Sequence, residues 1–271
     1  MGQTRALYNR SVRQDEIKIW SDGRPRNLSV CAAVQAALRD DRLLFAFQPV
    51  VCAATGKVDY FECLLRMRDP EGRIVAGSEF ITTIEQFGLI GPIDDYVLER
   101  TVRELGDHPR VKLGLNISSL TACNGLWLQS LIFLMRGRPE VARRLVVEIT
   151  ETAALRDIEE SAHFVDTLHG AGCRVALDDF GAGHTSLRQL EILSVDTVKI
   201  DGSLIRNVAD SQEKRVVVRD LLEFMKGFGF LTVAEGIENA EDAAYLRVEG
   251  VGYLQGYYLG LPTTERSWLA S

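Results

Sequence analysis

Apolar residues along this chain come in short runs, with amphipathic stretches between them. Eight runs, at 44–51, 58–67, 111–118, 145–150, 174–179, 197–201, 231–235 and 253–259, have the length and the bounding residues of β-strands. Between them Ile93, Val97, Val102 and Leu105 recur at helical spacing, as do Ile158, Ala162, Val165 and Leu168, and then Val217, Leu221, Leu222, Met225 and Phe228. Gly170, Gly172, Gly227 and Gly229 fall where such helices stop. Strands alternating with helices predict a mostly parallel sheet. One connection breaks the pattern: only residues 52–57 join the first two runs, and a parallel crossover needs about a dozen residues or more. The expected fold is therefore α/β, a TIM-like (β/α)8 barrel with an antiparallel first strand. Residues 1–27 are polar and broken by Gly23 and Pro25, so they read as a linker or N-terminal arm ahead of one domain over 28–271.

A length of 271 residues suits one such barrel. The net charge of −7 argues against a protein that grips polymeric nucleic acid, which needs clustered Lys and Arg, but leaves a small nucleotide held by metals open. Cys31, Cys52, Cys63, Cys123 and Cys173 are scattered and contain no C-x-x-C pair, so neither a disulfide framework nor a zinc ribbon is expected and a cytoplasmic location fits. The apolar stretch 126–135 is too short to cross a bilayer and reads as a core helix; no membrane span is expected. Residues 1–10 lack the apolar segment of a secretory signal.

Polar residues interrupt most of the predicted strands near their C-terminal ends, where barrel enzymes place their chemistry. Glu62 and Arg66 share a face of the second strand, and Asn116 and Ser118 a face of the third. Glu148 stands between Val147 and Ile149, Asp178 and Asp179 close the fifth strand, Lys199 lies between Val198 and Ile200, Glu235 follows Ala234, and Gln255 lies in the last strand. Any one of these could be a solvated strand end or half of a salt bridge. Together, Glu62, Glu148, Asp178, Asp179 and Glu235 on one rim would repel one another without divalent cations, and oxygen ligands suit Mg²⁺ or Mn²⁺. His108, His163, His169 and His184 show no ligand spacing.

Glu62-Cys63-Leu64-Leu65-Arg66 resembles the E-A-L-L-R signature of EAL-domain cyclic-di-GMP phosphodiesterases. Six further motifs agree in order. Phe47-Gln48-Pro49 is similar to Y-Q-P, Asn116-Ile117-Ser118 to N-x-S, and Glu148-Ile149-Thr150-Glu151 to E-[IL]-T-E. Asp178 to Gly183 resembles D-D-F-G-x-G, Lys199-Ile200-Asp201 is K-I-D, and Ala234 to Glu238 resembles A-E-G-V-E, followed by Gln255-Gly256-Tyr257 and Pro262. The resemblance implies metal-dependent hydrolysis of cyclic-di-GMP to linear pGpG. It implies two ions, one held by Glu62, Asn116, Glu148 and Asp178, the other by Asp178, Asp179 and Glu235, with Ca²⁺ inhibitory. Lys199 would orient or activate the attacking water, alongside Glu62, Glu235 and Gln255. Arg66 would clamp a phosphate. Gln48, Pro49, Leu64, Asp201, Glu238, Gln255, Tyr257 and Pro262 would line the substrate, and Glu151, Gly181, Gly183 and His184 would belong to a lid loop. A homodimer and a preceding sensor or GGDEF-type domain are also implied, and Ala6-Leu7-Tyr8 is similar to the end of such a domain.

The departures are few. Cys63 replaces Ala but should face the helix layer and pack, Phe47 replaces Tyr without touching a ligand, and His184 stands where the family has Tyr. Two other functions compete with catalysis: an inactive receptor for cyclic-di-GMP, and an interaction module that no longer binds it. Every ligand position that the motifs define is filled, which favours the enzyme.

Overall fold

A computed structural model of the chain describes residues 23–122, 125–154, 157–182 and 187–269. Two compact units are distinct among the described residues: 23–44 with Leu65–Ile90, and Phe45–Leu64 with those from Gly91 to Leu269.

The larger unit is the barrel. Its strands are β1 (Leu43–Cys52, from Phe45 on), β2 (Val58–Arg68, as far as Leu64), β4 (Leu113–Ile117), β5 (Leu145–Thr150), β6 (Arg174–Phe180), β7 (Thr197–Ile200), β8 (Leu231–Ala234) and β9 (Tyr253–Gln255), while β3 (Ile74–Ala76) belongs to the smaller unit. Hydrogen bonding runs β1-β9-β8-β7-β6-β5-β4-β2, and a β1–β2 pairing closes the ring. β1 pairs antiparallel with β9, while β2, β4 and β5 to β9 run parallel, as the short 52–57 connection predicted. Register fixes which residues share a level inside: Glu62 stands opposite Gly114, Asn116 opposite Glu148, and Lys199 opposite Val233. Val50, Tyr60, Val146, Ala176 and Val233 form an apolar plug, with Tyr253 half-buried against it. Helices cover the outside, and Cys63 meets Thr101 of the helix Gly91–Asp107, so it packs outward as alternation required.

The smaller unit contains the helix Gly23–Arg39, β3 and the helix Ile81–Gln86, and the end of β2 pairs there with β3 through Arg66 and Ala76. Its buried residues include Val30, Val34, Leu65, Met67, Phe80 and Ile84.

Four expectations change. The first helix already begins at Gly23, because Pro25 sits in a first helical turn, where its missing N–H costs nothing. β3 was not anticipated; three residues are too few for alternation to show. The last strand ends at Gln255 and not at Leu259, because Gly256 turns the chain against Ile237, whose backbone a side chain at 256 would overlap. The helix Gly125–Met135 is not a core helix on all sides: Trp127, Leu131 and Met135 are buried, but Phe133 is 75% exposed and Leu126 70%. Among the described residues no helix is long and apolar enough to cross a membrane.

Candidate active site

Above the apolar plug lies a layer of charge. Lys199 on β7 points into the barrel with 0% exposure. Its Nζ lies 2.6 Å from Glu148 Oε2, 2.9 Å from Asp178 Oδ1, 2.9 Å from Glu235 Oε1 and 3.6 Å from Glu62 Oε2. Glu62 is held from two further sides: Asn116 Nδ2 donates to its Oε1 at 2.6 Å and Gln255 Nε2 to its Oε2 at 2.5 Å. Gln48 Oε1 accepts from Gln255 at 3.4 Å, and Gln48 Nε2 donates to the Gly260 carbonyl at the same distance.

One ammonium among four carboxylates sets their ionisation. Burial opposes the charge on Lys199, but Asp178, Glu148, Glu235 and Glu62 outweigh it and hold its pKa well above the ordinary value. Burial pushes Glu148 up to about 8, with Glu62 and Asp178 adding repulsion that Lys199 offsets only in part. Glu235 is likewise well above the carboxylate range through burial and through Asp178 and Glu62. Glu62 goes the other way: burial would raise it, but Lys199 and the donors Asn116 and Gln255 lower it. Four carboxylates facing one cation leave negative charge uncompensated in a desolvated place, which is costly without further cations.

Strand alternation alone would send Asp178 and Asp179 to opposite faces. A register shift between Leu177 and Phe180, with Asp179 at φ 58°, brings both carboxylates to one end of the barrel. Burial, with repulsion from Asp178, pushes Asp179 up to about 6. Two trios result, Glu62–Glu148–Asp178 and Asp178–Asp179–Glu235, each with ligand atoms within 4.8 Å of one another. Asp178 belongs to both. Glu148 Oε1 is buried and has no hydrogen-bond partner among the described residues. An all-oxygen donor set with one buried carboxylate oxygen still unpartnered fits a hard divalent cation.

The other predicted residues divide. Glu151 is buried and its Oε2 accepts from the Gly181 N–H at 3.0 Å, so it braces the turn after β6. Gly181 is at φ 97°, and a side chain there would overlap Leu204. Gly183 and His184 lie outside the described residues. Asp201 caps the helix Gly202–Ile205, accepting from Ser203 N–H at 2.8 Å, and does not meet Lys199. Glu238 is exposed, with Arg206 Nε at 3.6 Å. Pro49 packs against Gly260, Leu64 and Pro262 are half-buried, and Tyr257 is exposed. Arg66 falls in the smaller unit, where its Nη1 donates to the Leu65 carbonyl at 2.9 Å.

Sequence reasoning passed over Tyr60 and Gly114, which lie directly under the charged layer. A β-carbon at 114 would overlap Glu148 Oε1 and stand 3.0 Å from the Tyr60 ring. The signal was present: a glycine inside an apolar strand marks a place that another group approaches closely.

Known proteins resemble this arrangement. The EAL domain family model matches residues 32–262. Cyclic di-GMP phosphodiesterase PdeF of Escherichia coli is 30% identical over 233 residues, which make up 84% of this chain and 31% of PdeF. Among solved structures, the PaMucR phosphodiesterase in its c-di-GMP complex superposes with a TM-score of 0.81 at 27% identity, over 89% of this chain and 99% of that one. The FimX EAL domain of Pseudomonas aeruginosa bound to c-di-GMP gives 0.81 and 27%, over 87% and 97% of the two chains. This chain spans about 30% of the length of the curated relatives it matches.

Proposed function

The chain belongs to the EAL domain family, and from that premise we propose that it is a metal-dependent phosphodiesterase that hydrolyses one phosphodiester bond of cyclic-di-GMP to give linear pGpG. The observation that carries the reading is the pair of carboxylate trios sharing Asp178 around Lys199. Glu62, Asn116, Glu148 and Asp178 would hold one Mg²⁺ or Mn²⁺, and Asp178, Asp179 and Glu235 the other. Such ions, when bound, polarise a phosphoryl oxygen and lower the pKa of a water molecule.

The side chains supply the rest. Lys199, kept charged by the carboxylates around it, would exchange one of its carboxylate contacts for the oxygen of the attacking water and orient it towards phosphorus. The water oxygen bonds to phosphorus, the bond to the ribose 3′ oxygen breaks, and the proton lost by the water passes to a neighbouring carboxylate; Glu235 is the one we assign. The 3′ oxygen takes up a proton from solvent and leaves as a hydroxyl, and Glu235 returns its own to solvent, so that no net proton is retained. Asn116 and Gln255 hold Glu62 in place from both of its oxygens. Gln48, Pro49, Leu64, Asp201, Glu238, Tyr257 and Pro262 form the rim that receives the nucleotide, and Glu151 steadies Gly181 at its edge. A homodimer in the cytoplasm, with a sensor or GGDEF-type domain ahead of the barrel, completes the proposal.

Purified protein incubated with cyclic-di-GMP and Mg²⁺ should yield pGpG on chromatography, Ca²⁺ should suppress it, and Asp178→Ala should abolish it in a folded protein. Tight nucleotide binding with no turnover under Mg²⁺ or Mn²⁺ would make the chain a receptor and reject the proposal.

A further inference from the structure

Tyr60 and Glu62 are two apart on β2, Gly114 and Asn116 two apart on β4, so all four side-chain positions face the barrel interior. Register sets Gly114 directly opposite Glu62 on one side and Val146 on the other. Glu148 therefore reaches over the one position on β4 that has no side chain. Its Oε1 lies closer to the place where a β-carbon at 114 would be than a real β-carbon tolerates, and the Tyr60 ring edge comes within 3.0 Å of that same point. Tyr60 in turn is buried in one apolar cluster with Val50, Val146, Ala176 and Val233. The two oxygens of Glu148 are thereby kept apart in role: Oε2 is engaged by Lys199 at 2.6 Å, while Oε1 is presented without a hydrogen-bond partner among the described residues.

Resting on the reading of Glu148 as a metal ligand, we infer that Tyr60 and Gly114 are positioning residues for it: the glycine leaves the space that Oε1 fills, and the tyrosine ring closes that space from below. The ring acts by its bulk, so its hydroxyl is dispensable. Neither residue touches substrate or the reacting atoms. A methyl group at 114 would push the carboxylate off its place. Loss of the ring would let the carboxylate sink away from Asn116 and Asp178.

The test measures Mn²⁺ binding to the purified chain by calorimetry, with Mn²⁺ alone as the probe, alongside kcat and KM for cyclic-di-GMP. Gly114→Ala and Tyr60→Gly should each weaken Mn²⁺ binding by about 10-fold or more and lower kcat with KM little changed, the scale seen when a group that orients a ligand is removed. Tyr60→Phe should stay within about 2-fold of the unaltered protein. Leu246→Ala, in a separate buried cluster with Val218, Leu222 and Val251 that does not include Tyr60, should lower Tm and leave Mn²⁺ affinity unchanged; a fall in affinity there equal to that of Tyr60→Gly would reduce the pair to ordinary packing and overturn the inference. Unaltered Mn²⁺ affinity in folded Gly114→Ala would also overturn it. Should Gly114→Ala not fold, the contrast between Tyr60→Phe and Tyr60→Gly decides, and equal affinities there refute the inference. An unaltered chain that binds Mn²⁺ but does not cleave cyclic-di-GMP rejects the phosphodiesterase reading and leaves the Mn²⁺ comparison in force. No Mn²⁺ binding at all rejects the ligand assignment and the inference with it.

Discussion

A lysine with 0% exposure is stable as an ion only because Asp178, Glu148, Glu235 and Glu62 surround it, and the same contacts put its Nζ at the centre of the site. That double placement separates two jobs. If Lys199 merely neutralises the acidic layer, Lys199→Ala weakens cation binding, and excess Mg²⁺ restores the rate by mass action. If it orients the water, cation and nucleotide still bind while single-turnover hydrolysis falls by roughly 100-fold or more. We expect the second outcome. The measurement is the single-turnover rate across a Mg²⁺ titration, and recovery of the unaltered rate at high Mg²⁺ would refute the orienting role. At this scale the sequence was informative where chemistry interrupts an apolar run, as at Glu148 and Lys199. It was silent on Tyr60, since an aromatic residue in a strand looks the same whether it fills a floor or supports a carboxylate.

The eight barrel strands were legible because each falls in an apolar run long enough to stand out, even at β9, where the strand itself is short, and the reversed β1 was legible from a connection too short to cross over. Other elements were not. β3 is three residues long, and the helix Gly125–Met135 is apolar on nearly every side, so sequence alone could not reveal that Leu126 and Phe133 face outward. The bulge that turns Asp179 towards Glu235 depends on a left-handed backbone at a non-glycine residue, which alternation does not foresee. The end of β9 is the clearest case. Continued alternation predicts strand through Leu259, yet a side chain at 256 would overlap the backbone N and O of Ile237. Ile237 N–H donates to the Gln255 carbonyl at 3.1 Å and Tyr258 N–H to the Ile237 carbonyl at 3.0 Å, so the close approach ties Gln255 to the segment after β8. Gly256→Ala should therefore destabilise by about 2–4 kcal/mol in urea unfolding and lower activity through the displaced Gln255. A loss under about 0.5 kcal/mol would show that the turn yields without strain.

For the chain as a whole, the charged layer couples stability to pH and to cations. Glu148 ionises in the unfolded chain near the ordinary carboxylate value but in the folded metal-free protein only near about 8. Between those values the folded state holds a proton that the unfolded state has released, so stability falls as pH rises through that window. Asp179, pushed up to about 6, contributes in the same direction over the lower part of it. Glu62 opposes the trend, because its lowered pKa gives stability that is present at neutral pH and lost on acidification through its folded pKa. That loss lies below the window in which Glu148 acts, so the two effects are separable. Metal-free protein should lose several degrees of Tm between about pH 5.5 and about pH 8. On the proposed ligand set, Mg²⁺ would bind the ionised carboxylates of the folded state and not the unfolded chain, so saturating Mg²⁺ should raise Tm, and by more at the upper end of the window than at the lower. Thermal melts at several pH values with chelator and with Mg²⁺ provide the measurement. A Tm of the metal-free protein that rises steadily across the window, with a Mg²⁺ increment independent of pH, would mean that Glu148 is already ionised and compensated by Lys199 alone, and the layer would then have no electrostatic need of a cation.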